Sequence, residues 1–352
     1  MGGDRDGNPY VTPATTFEVS MMSRWTAATL FKADITKLSP ELSLSLASEE
    51  LMKYHKKSVS VETYRDVLRD LGKRLHETIL WTEAEMTGMS YVTNSTSAPL
   101  KHNVELLEPL LLLHRSLCET GHEIIADGSL TDTIRRVKSF GLTLLPLDVR
   151  QESAKHSEAL DAITRYLDAG SYLKWDESSR RVWLQQELSS KRPLLPRNKD
   201  MAKDLGFTES VVDTLGISSL IARLNPGSLN AYVISQCQQV SDILAVALLQ
   251  QDAGVSTALR IVPLFETLDD LERAPRIIDE LFSIEVYKKR LSGHQEIMIG
   301  YSDSAKDAGR LAASWAQYRA QESIIEVAKK HNIAITFFHG KGGTVGVSKT
   351  YG

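Results

Sequence analysis

Four short apolar stretches of the sequence each end in side chains that can do acid–base, metal-binding or anion-binding chemistry. They run into Asp148-Val149-Arg150, Glu266-Thr267, Ser302-Asp303-Ser304-Ala305-Lys306 and His339-Gly340-Lys341. Carboxylates bind hard cations, whereas arginine and lysine bind phosphate and other oxyanions. One charged residue after an apolar stretch is ordinary, because the chain leaves the core there. Four such endings favour a shared site, since the carboxyl ends of parallel strands meet at one edge.

Glu266 and Asp303 are the two carboxylates of this set that could bind a metal ion together. If they converge, their oxygens suit Mg²⁺ or Mn²⁺, hard cations that keep water positions free for a substrate. The alternative is that each residue only caps a helix, which fits Asp303 because a helical pattern follows it. The spacing alone does not separate the two interpretations.

The cationic candidates are Lys306, Arg150 and His339, and each has an ordinary structural alternative. Lys306 lies at the start of a long helical pattern, where a cation opposes the helix dipole. This position favours an anionic partner, and the alternative is a solvated surface lysine. Arg150 suits a bidentate contact to phosphate or carboxylate, or a structural salt bridge. His339 suits proton transfer or anion binding, or a structural role. The glycines around Lys341 let backbone amides approach an anion.

Apolar stretches and helical patterns alternate from about residue 141 onwards, which predicts a parallel sheet covered by helices. The predicted strands are Leu142–Val149, Ala231–Ser235, Leu259–Phe265, Glu296–Tyr301 and Ile333–Phe338. The helices predicted between and after them are Ser153–Leu167, Ser178–Leu188, Ser241–Gln251, Leu268–Leu281 and Ala305–Lys330.

The first third of the chain is helical by pattern. Apolar spacing predicts helices over Val61–Leu80 and Val104–Leu117, with an exposed loop over Glu83–Pro99 between them. Ser39-Pro40-Glu41 has the cap, first-turn proline and first-turn acid of a helix start. The residues Gly2–Pro9 form a polar turn and lack the charged and then apolar segments of a signal peptide.

Composition places the chain among globular proteins. Its 352 residues are 42% hydrophobic and 24% charged, with a formal net charge of −4, so neither a disordered chain nor a broad nucleic-acid-binding protein is indicated. No apolar run has the length of a membrane span. The two cysteines, Cys118 and Cys237, form no disulfide framework or metal-type spacing, so we expect a reducing compartment.

Several motifs resemble those of the phosphoenolpyruvate carboxylase family, in the family's order. The most specific is Ile297–Gly309, which resembles the family's lysine active-site motif, and Phe338–Gly346 resembles the motif that follows it. Further similar segments are Gly2–Pro9, Leu147–Ser153, Arg192–Leu194, Ser241–Val246 and Val262–Glu266. The resemblance spans nearly the whole chain.

The resemblance implies the carboxylation of phosphoenolpyruvate by bicarbonate to oxaloacetate and phosphate. The reaction would pass through carboxyphosphate and a metal-stabilised enolate. Carried over by motif, Glu266 and Asp303 would hold Mg²⁺ or Mn²⁺, and Lys306 would be the catalytic lysine. Arg150 and His339 would contact the phosphate, carboxyphosphate or CO₂. Lys341 would bind substrate with Arg150, although the family usually has arginine at the Lys341 position.

The resemblance also implies an α/β fold, a helix-rich TIM-type (β/α) barrel that is incomplete in this chain. We expect one barrel region over 1–352, with a mainly helical insert at about 20–130 and an alternating β/α segment at about 141–346. The full-length family member would be a cytoplasmic homotetramer that binds neither nucleic acid nor membrane.

Two departures from the family pattern lead us to expect a fragment that is inactive alone. The family's His-Pro-Thr-Glu motif lies upstream of Gly2 and does not occur here, and Val347–Gly352 replace the usual Arg-Gly-Gly-Gly-Pro. The alternative is a truncated, non-catalytic paralogue that binds full-length subunits. An unrelated metal-dependent barrel enzyme is a third reading, against which the long lysine motif argues.

Overall fold

The computed structural model describes residues 2–55, 62–92, 97–190, 192–196, 205–340 and 348–351. Side chains are described in these ranges except at 55, 302–308, 310 and 348–351. The helices are α1 Pro13–Glu41, α2 Glu49–His55, α3 Thr63–Thr87, α4 Val104–Glu119, α5 Glu123–Ile125, α6 Thr131–Phe140, α7 Ser153–Tyr166, α8 Glu177–Ser189, α9 Glu209–Arg223, α10 Val240–Asp252, α11 Leu268–Phe282, α12 Glu285–Lys288 and α13 Ser302–His331. The strands are β1 Leu147–Glu152, β2 Leu229–Ser235, β3 Arg260–Phe265, β4 His294–Gly300, β5 Ala334–Gly340 and β6 Ser348–Tyr351.

The chain divides into two compact units. A helical unit comprises Phe17–Pro146 and Asn225–Ser228. A sheet unit comprises Met1–Thr16, Leu147–Leu224 and Leu229–Gly352. No helix in the described part of the chain is long and apolar enough to cross a bilayer.

The helical unit is built around a leucine-rich core between α1, α3 and α4. Val67, Leu68, Leu71 and Leu75 recur at helical spacing along α3, and all four are buried. This stripe packs into one apolar cluster with residues of α1 and α4. Removal of this apolar surface from water is the main source of the unit's stability.

The sheet unit contains a parallel sheet whose strands follow chain order. β1 to β5 are parallel neighbours in the order β1-β2-β3-β4-β5, and β6 pairs antiparallel with β5. Helices connect the parallel strands, and α10 is buried along nearly its whole length. The predicted helix-rich α/β class with a parallel sheet is confirmed.

Three local predictions were wrong. Ser39-Pro40-Glu41 ends α1 rather than starting a helix. The strand predicted from Leu142 begins at Leu147, because Leu142 lies in a 3₁₀ turn and packs into the helical core. The loop predicted from Glu83 begins only after Thr87, where Gly88 adopts a left-handed conformation that ends α3.

Candidate active site

The sheet brings the carboxyl ends of β1, β3, β4 and β5 to one side, which is the edge meant in this and the next subsection. Phe265 at the end of β3 pairs with Ile299 of β4, and Gly300 pairs with Gly340 of β5. Arg150 of β1 pairs with Val233 of β2. Glu266, the start of α13 and His339 therefore share this edge with Arg150.

One face of the sheet carries an apolar layer, and the polar candidates lie above it. The layer consists of Ala231, Val233, Val262, Leu264 and Met298, with Phe338 against it. Side chains along a strand alternate between faces, so the next positions on this face are two residues further on. They are Glu266 after Leu264, Gly300 after Met298 and Gly340 after Phe338.

Gly300 lies so close to Glu266 that no side chain fits between them. A Cβ atom added at Gly300 would be 2.4 Å from the Glu266 Cβ and 2.9 Å from its Cα. A Cβ atom added at Gly340 would meet the Met298 Cε at 2.8 Å. The two paired glycines thus form a floor of bare backbone beside the Glu266 carboxylate.

The chain that leaves β3 is fixed directly after Glu266. Thr267 caps α11, where its hydroxyl accepts from the Asp270 amide at 3.1 Å and its amide donates to the Asp270 carboxylate at 3.2 Å. This reciprocal capping box holds the first turn of the helix. It therefore limits where the Glu266 backbone can move.

Arg150 is held at the edge by carboxylates from the N-terminal segment. Its Nη2 donates to Asp6 at 2.5 Å, and its Nε lies 3.8 Å from Asp4. Burial by itself lowers the pKa of Arg150. The Asp6 hydrogen bond and the charges of Asp4, Asp6 and Glu266 outweigh burial, and the pKa is raised. The guanidinium is charged at every physiological pH.

One donor of Arg150 has no hydrogen bond to the described residues. The Nε atom is buried and has no hydrogen-bond partner within the part of the chain that the structure describes. A buried donor without a partner is costly, and an anion placed beside it removes that cost.

Backbone pairing positions the N-terminal segment that supplies these carboxylates. The Arg5 amide donates to the Arg150 carbonyl at 2.8 Å, and the Arg150 amide donates to the Gly3 carbonyl at 2.9 Å. A Cβ atom at Gly3 would lie 2.1 Å from the Asp148 carbonyl oxygen. Glycine at position 3 therefore permits the close approach that brings Asp4 and Asp6 to Arg150.

His339 lies at the same edge but on the other face of β5. It alternates with Phe338 and Gly340, and its ring is near that of Phe337, at 6.5 Å between centroids. The Tyr301 hydroxyl is 2.7 Å from His339 Nδ1. Burial raises the pKa of Tyr301, so this hydroxyl stays protonated and can donate to the ring.

The remaining candidates are only partly described. Asp303 and Lys306 lie in the first turns of α13, but their side chains are outside the described set, and Lys341 is outside the described residues. Among the side chains that are described, no three His, Cys, Asp or Glu residues are placed to bind a metal. Glu266 is the described half of the expected carboxylate pair.

Sequence reasoning missed three contributors to this edge: Asp6, Gly300 and Tyr301. Gly300 and Tyr301 lie inside the long lysine motif, so their positions next to Asp303 were a usable signal. The pairing of Asp6 with Arg150 joins residues 144 positions apart. A single sequence contains no local signal for that contact.

Comparison with known proteins supports the resemblance of the motifs. The family model described as Phosphoenolpyruvate carboxylase matches residues 1–348. The chain is 48% identical to the phosphoenolpyruvate carboxylase of Pseudomonas aeruginosa and 49% identical to that of Pectobacterium carotovorum, over 98% of its own length. It is 46% identical to phosphoenolpyruvate carboxylase 2 of Sorghum bicolor.

The match covers much less of the relatives than of this chain. The chain spans 38% of the length of the two bacterial relatives and 37% of the sorghum relative. The family model nevertheless matches nearly every residue of the chain. On these grounds, the chain belongs to the phosphoenolpyruvate carboxylase family.

Proposed function

We propose that this chain provides part of the active site of an enzyme that carboxylates phosphoenolpyruvate with bicarbonate, giving oxaloacetate and phosphate. The observation that carries the proposal is the carboxyl edge of the sheet. There Arg150 has a buried donor without a partner in the described structure, near the Glu266 carboxylate and the bare backbone of Gly300. The relatives bear the name of this activity.

The reaction needs positive charge where phosphate and enolate develop. A bicarbonate oxygen attacks phosphorus and the bond from phosphorus to the enol oxygen breaks, which leaves carboxyphosphate and an enolate. Carboxyphosphate then splits into CO₂ and phosphate, and C3 of the enolate forms the new carbon–carbon bond to CO₂. Arg150 would neutralise charge on the phosphoryl oxygens, and Lys306 would do so where the enolate forms.

Glu266 and Asp303 would hold Mg²⁺ or Mn²⁺. Their carboxylate oxygens are the donors that these cations prefer. When bound, the ion would stabilise negative charge on the enolate oxygen. Thr267 and its capping box would keep the Glu266 backbone in place.

His339 and Lys341 would complete the anion site. His339 lies on the other face of β5 from Gly340, so its contact to carboxyphosphate or CO₂ would be made at the end of the strand, with the ring oriented by Tyr301. Lys341 would bind the substrate carboxylate or phosphate as a point charge. These roles rest on the motif Phe338–Gly346.

We further propose that the parallel sheet is part of a helix-rich α/β barrel and that the barrel region extends over 1–352. The sequential parallel order of five strands with helical connections is the arrangement from which such barrels are built. The full-length enzyme would be a cytoplasmic homotetramer.

The direct test places this chain in a full-length background. Residues 1–348 replace the matching segment of the Pseudomonas aeruginosa relative, and oxaloacetate formation from phosphoenolpyruvate and bicarbonate is measured. We expect the chimera to form oxaloacetate. We expect Arg150→Gln to lower its kcat/KM by about 10²-fold or more. The matched control is Arg276→Gln, which removes an exposed arginine of α11 paired with Glu280.

Two results would contradict the proposal. One is an Arg150→Gln chimera that turns over as fast as the parent chimera. The other is a folded chimera without turnover, combined with an isolated chain that binds the intact Pseudomonas aeruginosa enzyme. That result would favour the alternative of a non-catalytic, subunit-binding paralogue.

A further inference from the structure

Arg5 is a buried arginine between the two carboxylates that contact Arg150. Only 5% of its surface is exposed, although its neighbours in the chain are the acidic residues Asp4 and Asp6. Burial of a guanidinium is costly unless an acidic partner accompanies it. A buried charge at this position is therefore a candidate for a specific structural role, and its contacts inside the sheet unit show which one.

The side chain of Arg5 lies on the opposite side of the N-terminal segment from Arg150. The segment Gly3–Asp6 runs parallel to β1, with Asp4 opposite Arg150. Neighbouring side chains of an extended segment point to opposite sides. Asp4 and Asp6 are on the Arg150 side, as their contacts show, so Arg5 is on the other. Whatever holds Arg5 therefore also fixes the two carboxylates on either side of it.

On its own side, Arg5 is held by α9 and lies near α7 and β2. Its Nη2 forms an ion pair with the carboxylate of Asp213 in α9. Burial lowers the pKa of His156 in α7, and the charge of Arg5 lowers it further. Burial raises the pKa of Tyr232 in β2, and the charge of Arg5 opposes that rise. The Tyr232 hydroxyl and His156 Nε2 are 2.8 Å apart, so these two side chains form a hydrogen-bonded pair near the guanidinium.

The ion pair with Asp213 adds a third attachment to a segment with two backbone bonds to β1. Those bonds join the Arg5 amide to the Arg150 carbonyl at 2.8 Å and the Arg150 amide to the Gly3 carbonyl at 2.9 Å. The side chain of Asp213 is 32% exposed, so one end of the pair keeps contact with water and the cost of burying it is smaller. The pair thus connects the segment to a helix that β1 itself does not include.

We propose that Arg5 and Asp213 are positioning residues for Arg150. Their ion pair anchors the N-terminal segment to α9 and so holds Asp4 and Asp6 where they orient the Arg150 guanidinium. The effect on phosphoryl binding rests on the proposed function, whereas the anchor itself does not. A planar guanidinium makes its two parallel bonds to an oxyanion only in a narrow range of orientations. Loss of the anchor leaves Arg150 charged but turned away, so it lowers the rate through orientation rather than charge.

A double-mutant cycle in the full-length chimera tests whether Arg5 acts through Arg150. Arg5→Met should lower kcat/KM for phosphoenolpyruvate by about 10- to 10²-fold. In the Arg150→Gln background the same substitution should cost less than about threefold, because the residue that it positions is already gone. Asp213→Asn should show the same dependence on Arg150. Equal fold-losses in the two backgrounds would overturn the proposal.

The matched control is Arg24→Met, which removes a buried arginine of the helical unit. Arg24 is 1% exposed, and its Nη1 donates to the Lys101 carbonyl at 3.2 Å. Arg24→Met should lower the urea midpoint, as Arg5→Met does, and leave kcat/KM unchanged. A loss of kcat/KM in the control equal to that in Arg5→Met would show that both substitutions act only through stability, and would overturn the positioning role.

Hydrogen exchange of the 352-residue chain tests the anchor without the carboxylase reaction. Mass spectrometry of the segments 2–10 and 147–153 follows the amides of Arg5 and Arg150, which join the N-terminal segment to β1. Arg5→Met and Asp213→Asn should each speed exchange in these segments about tenfold or more, and Arg24→Met should not. Unchanged exchange in both anchor variants would overturn the proposal.

The two assays separate the anchor from the proposed function. A parent chimera without turnover would count against the proposed function alone, since exchange rates report the anchor directly. If Arg5→Met does not fold, Asp213→Asn decides both tests, because it removes one charge from a partly exposed side chain.

Discussion

Replacing Gly300 by alanine tests whether the close approach of β4 to Glu266 positions the carboxylate. The added methyl carbon would be 2.4 Å from the Glu266 Cβ and 2.9 Å from its Cα. Carbon atoms pack best at about 3.5–4.0 Å, so the Glu266 backbone or the end of β4 must move by about 1 Å. Gln317 and the Thr267 cap oppose this movement: Gln317 donates to the Gly300 carbonyl at 3.0 Å.

The expected change in the free energy of unfolding of Gly300→Ala combines two opposing effects. Overpacking costs about 1–3 kcal/mol, and replacing glycine in a strand returns about 0.5–1 kcal/mol of backbone entropy. The free energy of unfolding should fall by about 1–2 kcal/mol, which lowers the urea midpoint by about 0.5 M. Displacement of a reacting group by about 1 Å typically costs about 10²-fold in rate, so turnover should fall in a full-length chimera, and Mn²⁺ affinity should fall in the 352-residue chain because the Glu266 carboxylate is displaced.

Two assays measure these effects. Urea unfolding of the 352-residue chain gives the stability change, and electron paramagnetic resonance titration with Mn²⁺ gives the affinity change. Gly340→Ala is the graded comparison, because its methyl group meets the flexible end of Met298 and costs less. Gly72→Ala in α3 is the matched control of opposite sign and should stabilise by up to about 1 kcal/mol. A Gly300→Ala chain with unchanged urea midpoint and Mn²⁺ affinity would refute the reasoning.

Three further predictions concern Lys306, the isolated chain and the buried His156. In the full-length chimera, Lys306→Ala should lower oxaloacetate formation at saturating Mg²⁺ by about 10²–10³-fold, and near-normal turnover would make Lys306 a surface lysine. The isolated 352-residue chain should make no oxaloacetate above background, a result that measurable bicarbonate fixation would reverse. Burial, and then the charge of Arg5, lower the pKa of His156 to about 3. Its stabilising contribution is complete above pH ~6.5 and is lost as the pH falls towards 3, because the unfolded chain binds the proton more tightly. Between pH ~6.5 and ~3, the urea midpoint of His156→Gln should therefore depend less on pH than that of the parent chain. Equal pH slopes in the two proteins would show that His156 is not the source of the pH dependence.

The strands of the sheet were largely predictable from the sequence. The apolar runs at Leu259–Phe265 and Ile333–Phe338 lie within one or two residues of β3 and β5, because buried parallel strands read as continuous apolar segments. The same logic failed at Leu142, since a short apolar run does not distinguish a strand from a segment buried among helices. α9 was not predicted, although Val211, Ile217 and Ile221 carry a helical spacing.

Proline indicated a helix boundary but did not show whether the helix begins or ends there. Pro40 was interpreted as the start of a helix, and α1 instead ends one residue later. Proline is favoured in a first helical turn and also interrupts helices, so the same residue is compatible with both boundaries. The 29-residue length of α1 therefore depends on packing in the helical unit rather than on local signals.

The chemistry of the site residues was readable from the sequence, but their arrangement was not. Residue type indicates what Glu266 and Arg150 can bind. The face on which each lies depends on strand register, and a shift of one residue would exchange His339 with Gly340. The carboxylates that hold Arg150 come from a distant segment, so only the folded chain shows them.

The strand order of the sheet has a consequence for how the protein is made. Each parallel strand from β2 to β5 pairs with the strand that precedes it in the chain. During synthesis, the partner of every new strand has therefore already left the ribosome, and the sheet can grow in one direction, strand by strand. At any moment the sheet exposes the edge of its newest strand and the outer edge of β1, and the N-terminal segment covers part of the β1 edge, which limits mispairing among nascent chains. A sheet with the same residues in a permuted order would have to hold an edge open until a later strand arrived.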